Sequence, residues 1–359
     1  MTQVPPLSPS RLDPTFVPRM WGVNSLAPLF PQKTNLSEHI GEVWLTGNES
    51  RFATGPFAGR SLADAWRAMP PEWAGTRMNI SEPFPILAKF LFPADKLSIQ
   101  VHPDDEYARK HETAAGGVGK TEAWYIVSAE PGASVYVGVQ RGITRDQFRR
   151  AIADGTVEDC LAKVPVTKGD AVFVPAGTAH TIGPGLVICE VQENSDLTYR
   201  VYDYGRHNSD GSTRPLHIEK ALNVINFGEQ RGGKLRPARV QAQNGAIEHF
   251  VACRHFDLEK WEIASPVSLE TERGHFELWI VLSGRGKIKW GSAVASGNGA
   301  ADFGPGEAWF IPAALDRWKI DPQTPSCILH VYIPDLSLHA EQLRRYGLLT
   351  AEIARVLVK

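Results

Sequence analysis

Along the chain, apolar and polar residues alternate or run together in short segments, each broken by glycine or proline before a long period can develop. This is the signature of many short strands joined by turns, and it predicts an all-β architecture of sandwich or barrel type. The segments 96–101, 123–127, 134–139, 171–174, 187–192, 276–282, 286–290, 307–311 and 328–333 read as strands. Helical spacing is confined to a few stretches, expected at the periphery. Ser61 followed by LADAWRAM reads as an N-cap and helix stopped by Pro70-Pro71, and apolar positions recur at helical intervals over 144–161 and 338–346. The stretch 227–243, rich in Gly, Arg and Lys, has no period. A boundary placed there divides the chain into an N-terminal domain, 1–235, and a C-terminal domain with a helical tail, 236–359.

One internal repeat shapes the architecture. Gly169, Pro175, Gly177 and His180 follow the form G-x5-P-x-G-x2-H, and Gly306, Pro312, Ala314 and Arg317 repeat it in register. The first Gly starts a strand after a turn, the apolar run fills an interior, and Pro-x-Gly bends the chain so that the next side chain points into the mouth of a barrel. The second copy keeps the scaffold, but Arg317 replaces the histidine.

The candidate chemistry gathers in the first half. Gln100 and His102 stand at period two before a Pro-Asp-Asp turn, so one strand face carries both. Glu122 opens a later strand and His180 closes the bend. Singly, these are an ordinary turn histidine and a solvated strand-end carboxylate; their convergence points to a site. Two imidazoles, a carboxylate and an amide carbonyl suit a borderline divalent ion with open coordination positions, and Zn²⁺ is the expected one. In the second half His275 and Glu277 offer a similar pair, but the Arg317 guanidinium would repel an ion. One zinc per chain is therefore expected. His111, His207, His217, His249, His255, His275 and His330 read as structural or surface histidines.

Composition excludes several classes. With 43% hydrophobic, 22% charged and 9% aromatic residues over 359 positions, the chain can bury two cores. The 38 Lys and Arg nearly cancel the 40 Asp and Glu, so no overall field gathers nucleic acid or an anionic membrane, and an anionic ligand must be held by local cations. The four cysteines, Cys160, Cys189, Cys253 and Cys327, lie far apart, which fits reduced thiols and a cytoplasmic setting. The opening residues carry Pro5, Pro6, Pro9, Pro14 and Pro18 with no apolar run after a basic start, unlike a signal peptide. No stretch reaches the roughly 18–20 apolar residues a membrane span needs.

The run FPILAKFLFPADKLSIQVHPDDEYA (84–108), KTEAWYIV (120–127), VFVPAGTAHTIG (172–183), Trp21-Gly22, the segment 41–44 and EVQENSDLTYR (190–200) resemble the type I mannose-6-phosphate isomerase family. The resemblance spans roughly 16–335 and is most specific over 85–205. It implies two cupin-type (jelly-roll) β-barrels, of which the first holds zinc through Gln100, His102, Glu122 and His180. Lys120, Glu190, Asp196 and Arg200 then belong to the substrate site of an enzyme that interconverts mannose 6-phosphate and fructose 6-phosphate. In that chemistry Glu190 or Lys120 moves the proton, Arg200 grips phosphate or the enediol oxygens, and Asp196 orients Arg200 or a hydroxyl. Two departures matter. The long helical insertion of larger members is replaced by the short segment 144–161, and VYDYGR after Arg200 matches the compact bacterial branch, so contacts beyond Arg200 do not transfer. Two rival readings are a cupin Fe²⁺ oxygenase, which shares the two-His, one-carboxylate set, and a non-catalytic sugar-binding bicupin.

Overall fold

The computed structural model describes residues 6–208, 210–228, 231–242, 244–291 and 299–358. Part of the 227–243 stretch, residues 229, 230 and 243, lies outside them. The strands assort into antiparallel sheets of seven, five, eight and four strands, and none of the four closes on itself.

The sheets stack in four layers. The five-stranded sheet covers one face of the seven-stranded sheet, with Val135, Val137 and Ile182 meeting Leu91, Trp124, Ile126 and Ile188. The other face of the seven-stranded sheet packs on the eight-stranded one, where Phe90, Tyr125, Phe173 and Val191 join Phe250, Leu258, Leu278, Phe310 and Val331 in the largest core. Beyond it, Trp279, Trp309 and Ile328 of the eight-stranded sheet meet Ile288, Trp318 and Ile320 of the four-stranded sheet. Alternate residues of one strand thus serve different cores, Phe90 one and Leu91 the other. A strand inside such a stack is enclosed on both faces, and Ile86–Leu91 is buried throughout. The chain is mostly strands, as expected, and each half is built on two facing sheets, neither of which closes on itself.

Chain ends cross between the halves. Strands Ser10–Asp13 and Arg51–Phe52 pair at the edge of the eight-stranded sheet, beside Ala308–Ile311. That sheet is otherwise built from residues after 237.

Several elements follow local chemistry. Helix Leu62–Ala68 starts where Ser61 accepts the Asp64 amide, as its N-cap position predicts. The 144–161 segment is shorter than its period suggests: a capping box of Thr144 and Gln147 opens Arg145–Asp154, and Gly155 ends it in the left-handed region at φ 73°, before a 3₁₀ turn over Val157–Cys160. The tail helix runs over Leu336–Arg345, with Asp335 capping it. All four cysteines are free thiols. No helix among the described residues is long and apolar enough to cross a membrane.

Candidate functional site

Two cross-strand rows build the site from facing sheets. In the five-stranded sheet, Gln100 is the register partner of both His180 and Arg200, so the three side chains stand in one row across adjacent strands. In the seven-stranded sheet, Lys89 pairs with Glu190 and Glu190 with Trp124, while Glu122 pairs with Gln192 one step along. Strand pleating sends Glu122, Trp124, Lys89 and Glu190 toward the same interior. The cavity between the sheets holds about 490 Å³ and is lined by Gln100, Lys120, Glu190, Asp196 and Arg200 together with Arg19, Lys89 and Arg214.

His102, Glu122 and His180 are buried to within about 1% of full enclosure and bring their donor atoms within 4.8 Å of one another. His102 Nε2 is 3.2 Å from Glu122 Oε1, and His180 Nε2 is 3.8 Å from Oε2. The far nitrogen of each ring is fixed by backbone: His102 Nδ1 lies 2.8 Å from the Leu197 carbonyl and His180 Nδ1 2.8 Å from that of Thr178. A carbonyl can only accept, so each Nδ1 carries the hydrogen and each Nε2 lone pair faces the cluster, the arrangement metal-binding imidazoles adopt. The Gln100 amide reaches His180 Nε2 at 3.2 Å, and a half-turn of that amide presents its oxygen to the same point. Trp124 Nε1 donates to Glu122 Oε2 at 3.1 Å and holds the carboxylate's plane.

Electrostatics agree with this donor set. Burial, reinforced by Lys120, drives His102 down to about 3, and burial likewise lowers His180. Both rings are neutral at pH 7, as ligation requires. Burial alone would raise Glu122, but the Lys120 charge beside it outweighs burial and keeps the carboxyl well below its usual range. The residues fit a divalent ion with nitrogen and oxygen ligands.

Lys120 Nζ stands 2.5 Å from Glu122 Oε1 and 3.7 Å from Glu190 Oε1. Glu190 is therefore bracketed by two lysines, since Lys89 Nζ is 3.2 Å away on its other side. Burial and the Glu122 charge push Glu190 up to about 7, against the pull of Lys89 and Lys120. The Arg200 guanidinium donates to the Pro215 carbonyl at 3.2 Å, and its backbone amide to His217 Nδ1 at 3.2 Å. Asp196 is exposed at the cavity rim, and its side chain makes no hydrogen bond or ion pair with Arg200.

Sequence reasoning passed over Lys89, Glu42, Arg19 and Arg214. Lys89 had a signal: it is the one charge in Ile86–Leu91, a strand apolar on both faces. A lysine there must have a partner, and it has Glu190 and, at 4.0 Å, Glu42. Glu42 in turn accepts from Arg19 and from Trp44 Nε1, each at 2.8 Å. Arg214, beyond the segment from which contacts were read, is anchored by Asp203. In the second half the scaffold repeats without the ligands. Arg317 is an exposed side chain paired to Glu270, and His275 Nε2 is 2.7 Å from Glu272.

Comparison with known proteins identifies the family. The family model for the phosphomannose isomerase type I catalytic domain matches residues 10–123. A probable mannose-6-phosphate isomerase of Bacillus subtilis is 35% identical over 327 residues, covering 90% of this chain and 99% of that protein. The crystal structure of the mannose 6-phosphate isomerase from Bacillus subtilis superposes with a TM-score of 0.80 at 31% identity, covering 90% of this chain and 99% of that one. A zinc-bound mannose 6-phosphate isomerase shares the fold at a TM-score of 0.67 and 16% identity, over 91% of this chain and 99% of that one. With relatives this similar along almost their whole length, the chain belongs to the type I mannose-6-phosphate isomerase family.

Proposed function

We propose that this enzyme interconverts mannose 6-phosphate and fructose 6-phosphate by proton transfer between C1 and C2 through a cis-enediol. One observation carries the reading: a buried carboxyl poised near neutrality, Glu190, stands beside a two-His, one-carboxylate cluster in a cavity rimmed by arginines. In this reading His102, His180, Glu122 and Gln100 hold one zinc ion, and the zinc-bound relative of the same fold supports that choice. Zinc would supply Lewis-acid polarisation of the substrate carbonyl.

The chain's own groups do the rest. Glu190 takes the proton from one carbon and returns it to the other, because a base with a pKa near working pH both accepts and releases readily. Lys89 and Lys120 hold its charged form and face the oxygens where negative charge develops. Arg19, Arg200 and Arg214 lie where an anionic phosphate would enter, and a guanidinium fork fits phosphate in two bonds at once. Asp196, on the rim, contacts a sugar hydroxyl. Residues 1–235 carry the site as a cupin-type unit, and 236–359 form a partner of the same ancestry with its mouth altered. Four free thiols fit a reducing, cytoplasmic setting.

The test is a coupled assay of mannose 6-phosphate to fructose 6-phosphate, before and after chelation and zinc return. Turnover that chelator abolishes and zinc restores supports the reading. Oxygen uptake with iron, or sugar binding without turnover, overturns it.

A further inference from the structure

The C-terminal half holds a second buried cluster that the isomerase reading does not use. His249, Glu259 and His339 are 1%, 4% and 3% exposed and bring three donor atoms within 4.8 Å of one another. They come from strand Gly245–Ala252, strand Asp257–Ile263 and the tail helix Leu336–Arg345, outside the repeated bend that ends at Arg317. This explains why motif spacing misses them.

The register gives the cluster its meaning. In the first half one cross-strand row reads Trp44, Lys89, Glu190, Trp124. The matching row of the second half reads His249, Glu259, His330, Trp279. The framework is kept down to the tryptophan that donates to a carboxylate two residues earlier, Trp124 to Glu122 and Trp279 to Glu277. The positive Lys89 is replaced by an anion, and an imidazole stands beside it. The second row thus inverts the Lys89–Glu190 pair, with Glu259 against a His330 that, in spite of burial, Glu259 and Glu277 lift to about 10, and leaves His249 on the far side of Glu259.

The donor atoms are only partly engaged, and His339 Nε2 lies 3.1 Å from Asp257 Oδ2 without forming a hydrogen bond to it. Glu259 Oε2 is occupied by Trp261 Nε1 at 2.8 Å and His330 Nδ1 at 3.0 Å, which fixes the carboxylate and turns Oε1 toward His249 and Tyr332. His249 Nδ1 is 3.0 Å from Oε1 but out of line for a hydrogen bond, and His249 Nε2 has no partner. A fully buried imidazole with neither nitrogen well bonded is costly unless something else binds it. The Tyr332 hydroxyl donates to Glu259 Oε1 at 3.2 Å and lies 3.1 Å from His339 Nδ1, two contacts that a bound ion would replace. Cavities of about 330 and 430 Å³ flank the cluster, with His249 and Glu259 on the first, His339 on the second and Tyr332 on both, so an ion has a path in.

We propose that His249, Glu259 and His339 form a second divalent transition-metal site, of the zinc, cobalt or nickel class, which ties the tail helix to the eight-stranded sheet. Two imidazoles and one carboxylate select that class over Mg²⁺ or Ca²⁺, which want oxygen alone. The site is structural and independent of the reaction in the first half.

Chelator-stripped full-length protein is loaded with Co²⁺ or Zn²⁺, dialysed, and assayed for bound metal per chain and for the visible Co²⁺ spectrum. Wild type should hold two ions, His180→Ala one, and His180→Ala with His249→Gln or with His339→Gln none. His339→Gln alone should hold one ion, keep the isomerase turnover, and lose the rise in Tm that the second equivalent brings. His180→Ala leaves the second cluster untouched, so its count decides even where a cluster variant does not fold. No ion in His180→Ala, or one that persists in both double variants, overturns the site. Activity is scored separately, so failure here leaves the isomerase reading intact.

Discussion

Lys89 and Glu190 are register partners on adjacent strands, and their charged ends meet at 3.2 Å with both side chains almost wholly enclosed. The pair sits in the row that faces the metal-type cluster, so it connects packing to chemistry. Burial opposes the charge on Lys89, but Glu190, Glu42, Glu122 and Asp196 together lift its pKa above the ordinary value. Removing Lys89 leaves Glu190 with Lys120 alone, at 3.7 Å, and with a neutral form to fall back on. Lys89→Met should therefore destabilise the fold more at pH 8 than at pH 5, where Glu190 is already protonated. It should also raise Glu190 above about 7, since the Lys89 charge lowers it, so the acid limb of kcat/KM moves to higher pH. Thermal melts and a pH–rate profile check both. An unchanged profile would place Lys89 outside the reaction.

Glu190→Gln should keep its metal and lose roughly a hundred- to ten-thousand-fold in turnover, the range a positioned acid–base group supplies. A second readout is stability against pH. Folding raises Glu190 from its ordinary 4.5 to about 7, so between those values the folded state holds a proton that the unfolded chain has released. Its contribution is complete below about 4.5 and is lost as pH rises through about 7. The variant should lack that decline, and denaturant titrations at pH 5 and pH 8 measure the difference.

His180→Ala should abolish activity with the metal of the first cluster, because one imidazole and one carboxylate are left where two and one stood. Arg317→His, the repeat's matching position, should create no second active site. Arg317 is an exposed side chain paired to Glu270, so a histidine there gains no converging donors. Assays and metal content of both variants make the comparison. Isomerase activity created by Arg317→His in a His180→Ala background would refute the account of the second half.

Arg200→Ala should retain metal and a near-normal Tm, because among the described residues the guanidinium's one hydrogen bond is to the Pro215 carbonyl at the partly exposed mouth. Activity should fall by roughly two to three powers of ten, the cost of one preorganised donor. Arg200→Lys should recover only part of it, since a point charge lacks the planar fork. A loss confined to KM would assign Arg200 to uniform phosphate binding.

What the sequence determined by itself was local and periodic. Short apolar runs between glycines and prolines dictate strands, Ser61 and Thr144 start helices by capping, and period two puts Gln100 and His102 on one face. The repeated bend shows that the halves share a scaffold and that the second loses its histidine at Arg317. Tertiary structure decided whatever depends on register between distant strands. Only stacking of the two inner sheets makes Ile86–Leu91 buried on both faces, and so turns Lys89 from a charge in a strand into the partner of Glu190. Only register sets His249, Glu259 and His330 in one row, and only the docking of the tail helix adds His339. The physical reason is that side-chain direction follows from a residue's own neighbours, whereas burial, pairing and pKa follow from which strand lies alongside, and the four-layer stack fixes that through hydrophobic area no single segment contains.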